Sequence, residues 1–360
     1  MDADFPLTEK LLESALIRRE GSALATLIVG KDKKLESYLG LSAHPETGGA
    51  SIPIHAEIRF DLASLTKALV TVPLVAEALE RKIFRTEDPV QKFFPDFRAS
   101  EVKIDHLLRH NSGLKNHDEF YRRPEALEKG FIERREMLEW IAASPLIPLK
   151  SAPVVYSDLG ILLLGFVLEK SMGASIAELF QEIIREPLGL KNTGFRTLPH
   201  ASAPEKALRL PGEARDFVAT ANCGFHGRLL QGEVDDNNCW ALGGATAHAG
   251  LFSTLEETQV LLKNAAETAL RLPEVFLPDA DSRPPFTRGF MLYPGLRPVD
   301  GDEWAGSIGH TGFVGTSAWF HPATDSTLVC LGNRVHPDRN DARFIETRLN
   351  IQRSAWEELS

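Results

Sequence analysis

The strand-forming residues of this chain are gathered at its two ends. Residues 23–29 and 35–41 read as two strands around a charged turn at 31–34. Short β-branched and aromatic runs return only at 289–293, 303–308, 315–320 and 326–331, broken by turns such as His321-Pro322 and Thr324-Asp325. Between them lie helical patterns at 105–110, 134–143, 158–171 and 176–184. This distribution predicts an α/β (α+β) fold, with one antiparallel sheet built from both chain ends and a helical insertion in the middle. The expected division is a sheet domain from residues 1–80 and 200–360, and an all-helical domain from 81–199. A first helix is carried by Leu11, Leu12, Ala15 and Leu16. Another spans 64–79, where Pro73 predicts a kink. Residues 195–238, rich in Pro, Gly, His and charge, read as long loops. Ser253-Thr254 followed by Glu256 and Glu257 marks the start of a helix running to about 271, and the tail 341–359 is again helical.

At 360 residues the chain can bury a substantial core without staples. Its net charge of −10 argues against nucleic-acid partners, which are bound through basic surface. Cys223, Cys239 and Cys330 are odd in number and lack C-x-x-C spacing, so neither a disulfide framework nor a zinc knuckle is expected and a reducing compartment is the simpler reading. Asp2, Asp4, Glu9 and Glu13 interrupt what a signal peptide would require. The longest uncharged apolar run, 159–168, is too short for a bilayer span. The expectation is a cytoplasmic protein acting on a small molecule or short peptide, with no membrane partner, no cofactor and no metal.

The sequence contains no G-x-G-x-x-G, Walker A, H-E-x-x-H or G-x-S-x-G signature. What remains is S-x-x-K, in which a serine at a helix start and a lysine one turn later share a face and can exchange a proton. The pattern occurs three times, from Ser64, Ser100 and Ser112. Ser100 lies in a charged stretch and Ser112 precedes Gly113, a poor helix former. Only Ser64 opens a long apolar helix, the setting that could bury Lys67.

Five short motifs then follow in order: Phe60-Asp-Leu-Ala-Ser-Leu-Thr-Lys67, Leu107-Leu-Arg-His-Asn-Ser-Gly-Leu114, Tyr156-Ser-Asp-Leu-Gly160, Pro187-Leu-Gly-Leu190 and Gly309-His-Thr-Gly-Phe313. Together they resemble the serine β-lactamase and penicillin-binding-protein superfamily, in particular the class C β-lactamase-like hydrolases and esterases. Residues 232–254 and 333–337 resemble the branch with DD-carboxypeptidase-like and D-aminopeptidase-like members. The resemblance implies a β-lactamase-like fold and a two-step acyl transfer. It makes Ser64 the acylated nucleophile, Lys67 its proton acceptor and Tyr156 the second acid/base. It implies an oxyanion hole from the backbone N–H groups of Ser64 and Phe313, and a substrate-lining strand at His310, Thr311 and Gly312.

Two residues depart from the family's pattern. Asp158 stands where its lactamases usually have Asn. A carboxylate there favours the ammonium form of Lys67 by roughly 4 kcal/mol at about 4 Å and a dielectric near 20, before desolvation. Either Asp158 turns away, or it is protonated, or Tyr156 carries more of the base role. His310 stands where the family has Lys, removing a permanent charge from the carboxylate-binding position; Arg334 could compensate. A cationic role for His310 predicts that kcat/KM falls above roughly pH 6.5. Both changes favour esterase or peptidase activity over β-lactam hydrolysis. The expected function is a serine hydrolase acting on a small ester, amide or D-amino-acid-containing peptide. The alternatives are a β-lactamase or DD-carboxypeptidase, and, in another class, a non-catalytic peptide-binding or regulatory protein using the same cleft.

Other polar residues have plainer readings. His106 and His110 read as helix-end packing, lacking a third ligand. His248 reads as a structural residue holding its loop to the next helix. Glu233, Asp235 and Asp236 read as a solvated turn.

Overall fold

The computed structural model describes residues 4–149, 154–201, 208–277, 286–293 and 306–360. Part of the strand expected at 303–308 and part of the loop before Tyr156 lie outside the described residues.

The strands are β1 (Ala23–Val29), β2 (Lys34–Gly40), β3 (Phe60–Asp61), β4 (Gly194–Phe195), β5 (Ala219–Cys223), β6 (Arg228–Gln231), β7 (Leu251–Ser253), β8 (Met291–Leu292), β9 (Ile308–Thr311), β10 (Ser317–His321) and β11 (Ser326–Gly332). Six of them form one antiparallel sheet in the order β2-β1-β11-β10-β9-β8. Both chain ends therefore contribute to one sheet, as the strand distribution predicts, and the join is the pairing of β1 with β11. Six of the seven β1 residues are buried, as expected of a central strand covered on both faces.

Alternation along β1 divides the core into two layers. Leu24 and Ile28 pack with Trp319, Leu328 and Cys330 against α1 (Pro6–Ile17) and the C-terminal helix Arg343–Leu359, through Leu12, Ile351 and Trp356. Ala23, Ala25 and Leu27 face the opposite way, into a larger cluster. The helices there are α2 (Val72–Glu80), α3 (Ile104–Leu108), α4 (Pro124–Lys129), α5 (Arg134–Ala142), α6 (Asp158–Met172) and α7 (Ile176–Phe180). They are followed by α8 (Asn237–Ala241), α9 (Leu255–Arg271), α10 (Pro273–Phe276) and α11, the C-terminal helix. The apolar run of α6 is buried from Leu159 to Leu168, which makes it the axle of the helical layer. No single helix among the described residues is long and apolar enough to cross a membrane.

Residues 195–238 differ from the long loops expected. They contain the β5–β6 hairpin and enter α8. The hairpin carries a register shift between Ala219 and Asn222, which breaks the alternation that would have revealed it. Pro73 acts one turn earlier than expected. Lacking an N–H, it cannot bond the Leu69 carbonyl, and the backbone over Lys67–Thr71 widens into a π turn in which the Val72 N–H reaches the Lys67 carbonyl.

Candidate active site

Ser64 is presented by a sharp strand-to-helix turn. Ala63 adopts φ +46°, a conformation that side chains rarely take, and its N–H donates to Asp61 Oδ1 at 2.8 Å. The other Asp61 oxygen accepts the Asp235 N–H at 2.8 Å, tying the turn to the segment before α8. Burial raises the Asp61 carboxyl to about 7 against those two hydrogen bonds. Opposite the turn stands Gly312. A Cβ there would sit 2.0 Å from Thr316 Oγ1 and 2.9 Å from the Leu62 carbonyl, so only glycine lets the end of β9 approach the serine turn. The backbone N–H groups of Ser64 and Phe313 are not engaged by the chain among the described residues, as an oxyanion hole would require.

Lys67 is 1% exposed and donates to Ser64 Oγ at 2.7 Å and to the His248 carbonyl at 3.1 Å. Its Nζ also lies 2.8 Å from Asp158 Oδ1 and 4.9 Å from the centre of the Tyr156 ring. Burial pulls the ammonium down, but Asp158 and Tyr156 outweigh it and the net shift is upward. Asp158 shifts the other way. Burial opposes the carboxylate, yet Lys67 and His117 hold it well below the usual carboxylate range. Asp158 thus neither turns away from Lys67 nor has its carboxyl raised toward protonation.

The Tyr156 segment is held by residues of the Leu107 to Leu114 motif. The Val155 N–H donates to the His110 carbonyl at 2.8 Å and the Ser157 N–H to His110 Nδ1 at 3.1 Å. Ser157 then caps α6, its Oγ accepting from the Gly160 N–H at 3.0 Å. His110 is therefore a bracket for the tyrosine, and His106 accepts the Lys103 N–H at the start of α3. Tyr156 stacks on Phe286 at 5.5 Å, with His110 at 4.8 Å and His310 at 5.6 Å. Its hydroxyl is buried without a hydrogen-bond partner in good geometry. Burial raises the phenol, while Lys67 and Ser64 pull against that rise.

His310 does not carry the cationic role considered for it. Burial first, then the Lys67 ammonium, lowers it to about 3, so it is neutral near pH 7. Its Nδ1 lies 2.7 Å from the Thr311 carbonyl. Positive charge reaches the cleft from elsewhere. Ser64, Tyr156, His310, Phe313, Arg334 and Arg348 line a cavity of about 340 Å³, together with Thr311 and Gly312. Arg334 lies over the Phe313 ring at 4.4 Å and donates to the Asp341 carbonyl at 3.0 Å. Arg348, which the sequence reading missed, is buried and donates to the carbonyls of Gly312 and Thr316 at 3.2 and 2.9 Å. Among the described residues neither guanidinium has a carboxylate partner within 4.0 Å. Arg348 sits within a C-terminal amphipathic helix, where an arginine carries no signal of its own.

The acidic turn is not solvated as expected. Asp235 is buried and paired with Arg339, Glu233 pairs with Arg228 at 2.8 Å, and Asp236 caps α8 by accepting the Cys239 N–H at 2.7 Å. Of the competing pairs, Ser100 and Lys103 are exposed, and Lys115, three residues after the buried Ser112, pairs with Asp118 at 2.6 Å.

A family model described as Beta-lactamase matches residues 10–350. The chain belongs to the beta-lactamase family. It is thus a member of a family of serine hydrolases, and the antiparallel sheet with its helices is the beta-lactamase-like fold. An Escherichia coli (strain K12) protein provisionally named a D-alanyl-D-alanine carboxypeptidase is 27% identical over 330 residues, covering 82% of this chain and 75% of its own. The N-acetylmuramyl-L-alanine amidase of Bacillus subtilis (strain 168) is 26% identical over 345 residues, covering 87% and 77%. Among solved structures, EstCE1, a hydrolase with promiscuous acyltransferase activity, superposes with a TM-score of 0.70 at 19% identity, covering 97% of each chain. A class C beta-lactamase mutant superposes at 0.67 and 16% identity, covering 97% of this chain and 96% of that one.

The buried histidines make acid stability a readout of this beta-lactamase-family site. His110 and His310 are both lowered to about 3, by burial first and by Lys67 second, whereas an unfolded histidine titrates near 6.5. Below pH 6.5 the unfolded chain binds protons that the folded one does not, so stability present at neutral pH is lost as pH falls toward 3. The urea midpoint is expected to drop from pH 7 to 5. His310→Gln should remove about 1.4 kcal/mol per pH unit from that slope; an unchanged slope would show His310 to be protonated in the folded chain.

Proposed function

We propose that this beta-lactamase-family hydrolase cleaves a small ester, amide or D-amino-acid-containing peptide that carries a free carboxylate, through an acyl-enzyme on Ser64. The supporting observation is the cleft itself: the serine stands at one side of a cavity of about 340 Å³, and two guanidiniums without carboxylate partners stand in its wall. A buried arginine bonded only to carbonyls keeps its full charge for an incoming anion. The carboxypeptidase and amidase names of the relatives agree with such a substrate, and the hydrolase and acyltransferase activity named for EstCE1 agrees with acyl transfer. The carboxylate reading is tested by comparing matched p-nitrophenyl esters, D-peptides and a penicillin with and without a free carboxylate. Arg334→Gln is expected to raise KM about tenfold for the carboxylate members alone, and equal effects on both sets would overturn it.

In the resting site the protons sit on Lys67 and Tyr156, and the base form is reached by losing one of them from the coupled pair. Ser64 Oγ then gives its proton to that pair as it attacks the carbonyl, the Ser64 and Phe313 N–H groups receive the oxyanion, and Tyr156 returns the proton to the leaving group. Activity should therefore rise through alkaline pH. Asp158 is the group that holds Lys67 protonated, so Asp158→Asn should move the acid limb of kcat/KM down by at least about one pH unit. A limb that stays in place would assign the limiting proton to another group. The three cysteines are free and buried, and with them we extend the reading to a reducing, cytoplasmic setting, which cell fractionation tests.

A further inference from the structure

The peptide unit between Gly312 and Phe313 is held at its carbonyl and free at its N–H. The carbonyl accepts from Arg348 Nη1 at 3.2 Å, while the Phe313 N–H is engaged by no group of the chain among the described residues. The peptide is trans, so these two groups point in opposite directions in one plane. A donor that fixes the carbonyl therefore fixes the direction of the N–H. The same Nη1 donates to the Thr316 carbonyl at 2.9 Å, and the Gly312 N–H donates to that carbonyl at 2.7 Å. Arg348, from α11, thus spans the turn between β9 and β10 and closes it from outside.

The turn is also fastened to the serine. Thr316 Oγ1 donates to the Leu62 carbonyl at 3.2 Å, two residues before Ser64, and a Cβ on Gly312 would sit 2.9 Å from that carbonyl. At its other end the Phe313 ring, half exposed in the cleft wall, lies under the guanidiniums of Arg334 and Arg339 at 4.4 and 4.7 Å. Arg339 is in turn paired with the buried Asp235. With the ring and the carbonyl both held, the peptide plane has little freedom to rotate.

Arg348 is 8% exposed, and burial lowers its guanidinium to about 10, so it remains a cation at neutral pH. A guanidinium present only to bind an anion would keep its ends free, whereas here Nη1 is committed to two carbonyls. A cationic donor on a carbonyl oxygen also draws electrons through the amide and strengthens its N–H as a donor, by about 10–30% per bond in condensed phase.

We infer that Arg348 is a positioning residue for acyl transfer, orienting and polarising the Gly312–Phe313 peptide so that the Phe313 N–H receives the oxyanion together with the Ser64 N–H. This rests on the acyl-enzyme reading of Ser64 and adds to the carboxylate role of Arg348. An oxyanion exists only in the tetrahedral species, and both formation and hydrolysis of the acyl-enzyme pass through one. Loss of Arg348 therefore slows both steps alike, which lowers kcat and leaves KM in place. An anion-binding role acts on charged substrates alone.

The test uses the full chain with an uncharged ester, p-nitrophenyl acetate, and with phenylboronic acid, whose tetrahedral adduct with the serine oxygen mimics the oxyanion species. Arg348→Met is expected to lower kcat about 10–100-fold with KM within about twofold, and to weaken boronate inhibition in proportion. Arg348→Lys, which restores a cationic donor, should fall between the Met variant and the unaltered chain. Arg353→Met, at an exposed position of the same helix, should change neither quantity. Circular dichroism and urea unfolding check that the variants fold; if the Met variant does not, a parallel loss of kcat and boronate affinity in the Lys variant is the supporting result. Unchanged kcat in folded Arg348→Met would overturn the inference, as would a kcat loss with boronate affinity intact, or a Lys variant no more active than the Met variant. An unaltered chain inert toward ester and boronate alike would instead sink the acyl-enzyme reading, and this inference with it.

Discussion

Ser64→Ala is expected to abolish ester turnover, lowering kcat by at least about 10⁴-fold, and to remove any covalent adduct with a fluorescent penicillin. The size follows from what the substitution leaves behind. The two free N–H groups at Ser64 and Phe313 and the arginines of the cleft remain, so substrate still binds and polarises, but no oxygen is left to form the acyl-enzyme. KM should move little. Folding should also be nearly unaffected, because Lys67 loses one acceptor and keeps Asp158 and the His248 carbonyl, a change of about 1 kcal/mol. Stopped-flow release of p-nitrophenol and mass spectrometry of the intact chain make the measurement. Turnover within tenfold of the unaltered protein would remove Ser64 from the chemistry and, with it, the acyl-enzyme reading.

Lys67→Met should be inactive and also unstable, and the two losses should separate. Removing the ammonium leaves Asp158 with His117 alone, in a site where burial works against the carboxylate. Stripping one partner from a buried pair costs about 3–5 kcal/mol, and with Asp158 one-fifth exposed about 2–3 kcal/mol is the reasonable expectation. Adding Asp158→Asn removes the uncompensated charge, so the double variant should regain most of that stability. It should regain none of the activity, since neither Met nor Asn can carry the serine's proton. Urea unfolding of the two single variants and the double variant, beside ester assays, closes the cycle. Additive stability losses would mean that the 2.8 Å pair is not coupled in solution.

Where the sequence was legible, one physical signal was locally sufficient. The β1–β2 hairpin, the capped start of α9 and the buried α6 each follow from periodicity and a cap within a dozen residues. That Ser64, Lys67 and Tyr156 come together was legible because short motifs in a fixed order carried the resemblance. The β5–β6 hairpin was hidden by its irregular register, and Asp235 was misread because its partner, Arg339, lies about a hundred residues away. His310 lines the cleft as a neutral ring, since burial first and the Lys67 ammonium second lower it, and only the fold supplies either. Arg348 shares that property: its contacts with Gly312 and Thr316 join distant segments, for which a linear sequence offers no period to count.

The pairing of β1 with β11 also sets a clock. At ribosomal speeds of 5–20 residues per second, about 15–60 s pass between the emergence of Ala23–Val29 and that of Ser326–Gly332. Throughout that interval a strand destined for the interior has only β2 beside it, and its other edge is open to any passing strand. Ser64, the proposed nucleophile, is made early in the same interval, long before the strand and arginines that complete its cleft. A nascent or truncated chain therefore holds the serine without its cleft, and the segments that close the sheet are also those that complete the cavity around Ser64.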